Sequence, residues 1–397
     1  YVQTNSYNAF SPRIGLAWDP WGDGKTSIRA GFGIYYDRSL IGIVEQNGFA
    51  DPFAVQTISI SNPLPGIDLL SNPLGGTAST AITPISPTST GDPFKVPTVD
   101  QWSLSVERQL GHDMVVEAAY AGSHGYHLLQ AVDINQPVPF AAAGVNNVID
   151  LVRPFKGYGA IPMRQTTANS TYNSLQLSFR KNMSHGLMLF ANYTYAKTLT
   201  NSNDDRADPA LDSNNLSLDR GPASFQRAHV FNLSYIWEIP FPKKSNGLLH
   251  TALGGWQLGG STFFWSGLPL TVTQSGDPLL IGAFGPQRPN LVGNPSGPKT
   301  IGEWFNTAAF APALTGFGTA SRGSITGPGV NNWDIEVLKF FQIKESLKLR
   351  FSTDFINAFN HLNPGNPVLD INSSSFGQIT STGRDPRTIQ FGLKLLF

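Results

Sequence analysis

The sequence predicts an all-β fold, an antiparallel sheet of about eleven strands set in a membrane, and three observations carry that prediction. Apolar residues recur at every second position, and the connections between such runs alternate short and long. The third observation is the last stretch, Thr388 to Phe397 (TIQFGLKLLF), where Ile389, Phe391, Leu393, Leu395 and Phe397 alternate with Thr388, Gln390, Gly392, Lys394 and Leu396. Chain ends usually fray in water, so a soluble protein seldom needs a large apolar residue there. In a transmembrane β-barrel the same strand closes the sheet and turns its apolar face to lipid. Lys394 then belongs in the lumen, because on the lipid face near the midplane it would cost roughly 2 to 4 kcal/mol.

Composition agrees with this class. Charged residues make up 14% of 397, against about 25% in ordinary soluble proteins. The 40 Gly, 29 Pro and 26 Phe provide turns and aromatic positions. Lys plus Arg equals Asp plus Glu at 27 each, so the basic excess of a nucleic-acid binder is missing and no nucleic-acid partner is expected. Zero Cys excludes disulfides, thiolate metal sites and cysteine nucleophiles. With no run of about 18 apolar residues, a membrane crossing has to be made by strands. The opening YVQTNSYNAF has no Met and no apolar signal region, so the chain is expected to be a piece of a longer precursor.

Taken in order, Ser11 to Pro20 places Ile14, Leu16 and Trp18 on one face, and Thr26 to Asp37 places Ile28, Ala30, Phe32, Ile34 and Tyr36 on one face; the short turn at 21–25 joins them as a hairpin. Residues 38–97 form a long loop. Thr98 to Leu110 and Met114 to Leu129 pair across Gly111, His112 and Asp113. A Pro-rich loop to about Ser170 precedes Thr171 to Asn182 and Leu187 to Thr198, joined at 183–186. After a polar loop, Phe225 to Ile239 alternates Phe231, Leu233, Tyr235 and Trp237 with Asn232, Ser234 and Glu238. A short turn at 240–246 leads to Thr251 to Thr273, whose Gly259–Gly260 pair predicts a bulge or bend. A long loop, 274–329, then precedes the last hairpin, Asn331 to Gln342 with Leu347 to Asn360. The loop 361–384 leads to the terminal strand.

Short periplasmic turns and long extracellular loops are the rule for such barrels, and bacterial single-chain barrels have an even strand count. Eleven strands therefore predict half of a 22-stranded barrel. Aromatic residues flank both rims: Trp18, Trp237 and Phe341 beside short turns, Tyr36, Trp102, Tyr172, Tyr195 and Phe359 beside long loops. Arg108 and Lys339 fall on the apolar parity but near short turns, where a long cation can reach the interface. The opposite parity collects Arg29, Glu107, Glu117, Arg180, Glu336, Arg350, Asp354 and Lys394, the candidates for a charged lumen.

The stretches FSPRIGLAWDPWGDGKTSIRAGFGIYYDR (Phe10 to Arg38), QWSLSVERQL (Gln101 to Leu110), YNSLQLSFRK (Tyr172 to Lys181), FANYTYAKTL (Phe190 to Leu199), DFINAFNHLNPGNP (Asp354 to Pro367) and GRDPRTIQFGLKLLF (Gly383 to Phe397) together resemble the TonB-dependent outer-membrane receptors, in particular the Oar-like branch. Such proteins end on an alternating strand finished by Phe. The resemblance implies a Gram-negative outer-membrane location and energy-coupled uptake of a solute. It also implies that the barrel assembly machinery reads Phe391, Leu393, Leu395 and Phe397. Residues 1–397 correspond to the C-terminal part of the barrel domain; the family's signal peptide, amino-terminal domain, TonB box and plug have no counterpart here. Contact with the TonB complex would run only through those parts.

Other motifs are weak. His124 and His127 stand three apart, a spacing that puts them on opposite strand faces, so a solvated strand end competes with metal binding. The loop 201–215 holds Asp204, Asp205, Asp208 and Asp212, oxygen ligands suited to calcium but without EF-hand spacing; a solvated loop explains them as well. Phe49, Phe53, Phe140, Phe155, Tyr158, Phe284, Phe305, Phe310 and Phe317 in the long loops fit either a ligand platform or loop packing. No GxSxG elbow, HExxH, P-loop or GxGxxG before a helix is present, so neither an enzyme site nor a cofactor is implied.

Two functions follow: a receptor or transporter for a scarce or bulky solute, or a non-transport binding protein such as an adhesin or passive pore. Both need the terminal strand. Deleting Phe397 from the full-length protein is expected to lower the heat-modifiable, membrane-integrated fraction sharply, more than the roughly 1.5 to 3 kcal/mol of burying one Phe would explain. Lys394→Leu should insert normally. Normal assembly of the deletion beside failure of Lys394→Leu would overturn both the signal and the facing.

Overall fold

The computed structural model describes residues 9–37, 86–91, 93–204, 209–240, 252–282, 285–344 and 346–397. Phe49, Phe53, Phe284, Asp205, Asp208 and, of the turn at 240–246, residues 241–246 lie outside the described residues. Eleven long strands follow one another in a single sheet: β1 (Arg13–Trp18), β2 (Thr26–Tyr36), β3 (Thr98–Leu110), β4 (Met114–Asp133), β5 (Pro162–Ser184), β6 (Leu187–Thr200), β7 (His229–Glu238), β8 (Trp256–Trp265), β9 (Val330–Lys344), β10 (Leu347–Ile356) and β11 (Thr388–Leu396). Every neighbouring pair along this path is antiparallel. β1 and β11 do not pair with each other, so the sheet is open with two edges.

The register gives the sheet two unlike faces. Directly opposed residues share a face, so Leu16, Ala30, Leu104, Tyr120, Leu175 and Tyr195 form one row across six strands. That face is apolar yet exposed: Leu16 is 60% and Leu104 48% accessible, and Leu393 on β11 is 70% accessible. A row three residues further along, Ser27, Glu107, Glu117, Ser178, Asn192 and Asn232, lies on the other face and is polar. An exposed apolar belt opposite a polar face is the arrangement a lipid-embedded sheet requires.

Two strands run further than expected. β4 continues beyond Leu129 to Asp133 and β5 begins at Pro162, before Ser170, so this hairpin has strands of 20 and 23 residues, about twice the 9 to 11 needed to cross a bilayer. The register shifts between Gly125 and Gln130 break the period of two there, which hid the strand's continuation. His127 sits in this irregularity with φ 54°, so simple alternation does not fix how it stands relative to His124.

The bulge expected at Gly259–Gly260 is absent. β8 spans only Trp256–Trp265 and pairs without a register shift on both sides. The glycines serve close approach instead. A Cβ on Gly260 would lie 2.5 Å from the Asp334 carbonyl oxygen and 2.8 Å from the Tyr235 hydroxyl, whereas one on Gly259 would meet nothing nearer than 3.5 Å.

The short turns are tied by side chains. Asp113 accepts from Lys181 Nζ at 2.6 Å and from the Ser184 hydroxyl, and these bonds, Lys181's first, hold its pKa down at about 2. Arg108 lies over the Trp21 ring at 5.1 Å and donates to Thr26 Oγ1. Lys339 does not reach outward as expected: it is 1% exposed, stacked over Trp256 and Phe341, with Nζ donating to the carbonyls of Ala252 (3.0 Å) and Gly254. Carbonyls of the adjoining connection take the place of interfacial water.

Gly260→Ala is expected to lower unfolding stability in lipid or detergent by about 1 to 3 kcal/mol through overpacking, with Gly259→Ala much milder. Denaturant midpoints at unchanged m-value test this, and equal effects of the two would refute the close-approach explanation.

Candidate functional site

The polar face of the sheet is the candidate site. The register places Arg29, Glu107, Glu117, Arg180, Glu336, Arg350, Asp354 and Lys394 all on it: Arg29 opposes Ser105, Glu107 opposes Glu117, Glu336 opposes Asp354 and Arg350 opposes Lys394. Phe391, Leu393 and Leu395 lie on the apolar face opposite Thr353, Phe351 and Leu349. Phe397 follows β11 and is 99% exposed.

These charges form two groups. On β9 to β11, Arg350 Nη2 donates to Glu336 Oε1 at 2.8 Å, beside Asp354 and Lys394. Here the structure brings two of the eight candidates into direct contact. On β3 to β5, Glu107, Glu117 and Arg180 line a depression of about 320 Å³ with Gln176, Asn192 and Thr194. Arg29, on β2, opposes Ser105 and so lies diagonal to Glu107. A second hollow, about 590 Å³, surrounds Gly15, Gly31 and Gly33 and is bordered by Arg13, whose guanidinium lies 4.6 Å from the Tyr35 ring centre.

At the long-loop end the sheet passes into an ordered rim that local sequence patterns did not reveal. Asp133, at the end of β4, accepts the amides of Asn135 (2.9 Å) and Ile161 (2.8 Å) and faces Arg153 at 3.5 Å. Arg153 also donates to Asp150 at 2.9 Å, and Asn135 donates to the carbonyls of Tyr158 and Gly159. Asp219 meets Arg288 at 3.4 Å, 69 positions along the chain, so no short motif could have announced the pair. Buried charges of this kind persist only when paired and hydrogen-bonded. They fasten the loops to one another.

The loop aromatics divide between the two readings left open by sequence. Phe305 (2% exposed) and Phe310 (8%) pack edge-to-face with Phe376 in a core that includes Leu270, Val272 and Ile325, which is loop packing. Phe155 is 51% exposed; Phe140, Tyr158 and Phe317 are partly exposed. Asp212 caps its own turn by accepting from Asn214 N–H at 2.9 Å. His124 stands 3.5 Å from Thr171 Oγ1. Among the described residues no three His, Asp or Glu side chains gather as a metal site.

Residues 1–390 match the family model described as outer membrane beta barrel domain, and the chain belongs to that family. Its place is the Gram-negative outer membrane. Among solved structures it is similar to the outer membrane transporter YddB from Escherichia coli, with 13% identity and a TM-score of 0.54 over 97% of this chain and 40% of that one. It is also similar to the FrpB iron transporter from Neisseria meningitidis (F3-3 variant), with 10% identity and a TM-score of 0.46 over 97% of this chain and 39% of that one. The chain thus spans well under half the length of either. No curated protein matches it.

Glu336 and Arg350 are each about one-third exposed, at 34% and 36%, so their pairing should contribute only about 0 to 1 kcal/mol. A double-mutant cycle with Glu336→Gln and Arg350→Gln, read by denaturant midpoints, is expected to give a coupling in that range. A coupling of several kcal/mol would mean the pair is far drier than its exposure implies.

Proposed function

We propose that this chain is the C-terminal half of a 22-stranded TonB-dependent receptor barrel of the Oar-like branch, which takes up a scarce or bulky solute. The polar face is its lumen, the apolar face meets lipid, and the solute is received at the long-loop rim. The observation that carries the reading is the sheet itself: eleven strands, a continuous register, all eight charged candidates on one face and an exposed apolar belt on the other. Support comes from the outer membrane transporter YddB, 40% of whose length is matched by nearly the whole of this chain. Two free edges fit a half-barrel, since unpaired strand edges are not tolerated in hydrocarbon. Energy coupling would run through a plug and TonB box outside these residues, and the terminal Phe391, Leu393, Leu395 and Phe397 would be read by the barrel assembly machinery.

The test uses the full-length protein in its membrane. Retention on the purified periplasmic domain of TonB, with little steady conductance in planar bilayers, is expected. Constitutive conductance without retention would establish the passive pore instead. Because the chain has no Cys, single cysteines at Arg350, Asp354 and Lys394 should react with a small water-soluble maleimide, and those at Phe391 and Leu393 should not; the reverse pattern would overturn the facing.

A further inference from the structure

Among the described residues, two arginines at the long-loop rim form no ion pair with a carboxylate. Arg227 precedes β7 and Arg384 precedes β11, far apart in sequence, yet their guanidinium carbons lie 5.3 and 5.1 Å from the ring centre of one residue, Trp265. Arg384 also lies 5.8 Å from the Phe263 ring. Phe263 and Trp265 end β8 on the polar face: Phe263 opposes Asn232 in the row that contains Glu107 and Glu117.

The platform is fixed in place. Trp265 Nε1 donates to Asn232 Oδ1 at 2.9 Å, and the Phe263 ring meets the indole edge-on at 5.6 Å. Arg227 Nη1 donates to the Ser266 carbonyl at 2.5 Å. A guanidinium has five N–H donors, so this bond leaves others available.

Among the described residues no carboxylate lies within ion-pair distance of the pair, in contrast to Arg153, Arg288 and Arg350. Asp334, on the polar face of β9, accepts through Oδ1 from Asn332 Nδ2 at 2.8 Å and from the Asn357 amide at 2.9 Å. Burial and then the positive charge of Arg384 both lower the pKa of Arg227. Two like charges held against one indole repel unless an anion joins them. Planar guanidinium forks match carboxylate and phosphate oxygens, and partial desolvation strengthens that match.

We propose that Arg227 and Arg384, stacked on Trp265, form an oxyanion-binding site at the rim, which receives a carboxylate or phosphate group of the incoming solute. This rests on the uptake reading and narrows its substrate class to acidic solutes. The aromatic surfaces would hold the apolar part of the solute beside its anionic group.

The experiment is calorimetric titration of the full-length protein in detergent with citrate and, separately, inorganic phosphate, at fixed chloride and pH, with glucose as the neutral probe. Saturable binding of at least one anion and none of glucose is expected. Citrate binding alone would assign a carboxylate group, and phosphate binding alone a phosphate. Arg227→Gln and Arg384→Gln should each weaken binding about tenfold or more, the effect of losing a charge-assisted hydrogen bond. Lys25→Gln, in the short turn at the opposite rim, should leave binding unchanged. Heat-modifiable migration confirms that each variant is folded, and Arg384→Lys should recover part of the affinity. Absence of saturable anion binding, or equal affinity in all three Gln variants, overturns the site. Retention on TonB is read separately, so intact retention without anion binding removes this site and leaves the uptake reading standing.

Discussion

In hydrocarbon no water is available to satisfy a peptide group, and the whole sheet is subject to that constraint. Each strand has to pair along the length that crosses the bilayer, so irregularity is allowed only near the rims. The register shifts obey this: they fall at Gly125 to Gln130 toward the loop end, and at Lys181 to Ser184 and Gln342 to Lys344 beside short turns. Between these places a one-residue slip would exchange the apolar and polar faces. Continuity of backbone pairing and segregation of side chains are therefore one requirement.

The same requirement explains how cations on the wrong parity are handled. Arg108 and Lys339 belong by register to the apolar face, and both fold against aromatic rings at the short-turn end. Lys339 goes further and takes two backbone carbonyls as ligands. The rim at the opposite end is organised differently, by paired acids and arginines from distant loops. Arg227 and Arg384 are among its exceptions.

Period-two alternation was enough to locate the long strands and to group Lys394 with Arg350 and Glu107 with Glu117 on one parity, because those positions depend only on local pattern. It failed where parity itself breaks, so β4 and β5 were read too short. Gly259–Gly260 was misread for another reason: the need for glycine there comes from Tyr235 and Asp334 on neighbouring strands. The partnership of Arg227 with Arg384 was equally hidden, since 157 positions separate two residues that meet at Trp265. Local pattern reveals faces, and long-range pairing decides what the faces hold.

The core around Phe305, Phe310 and Phe376 draws on the long connections alone, without a residue of the eleven strands. Its stabilisation comes from excluding water, while the strands beneath answer to lipid. Heat or detergent need not dissolve the two together. A crown with its own apolar interior can loosen as a cooperative unit while the staves below remain hydrogen-bonded, so the mouth has a route to rearrange that leaves the wall intact.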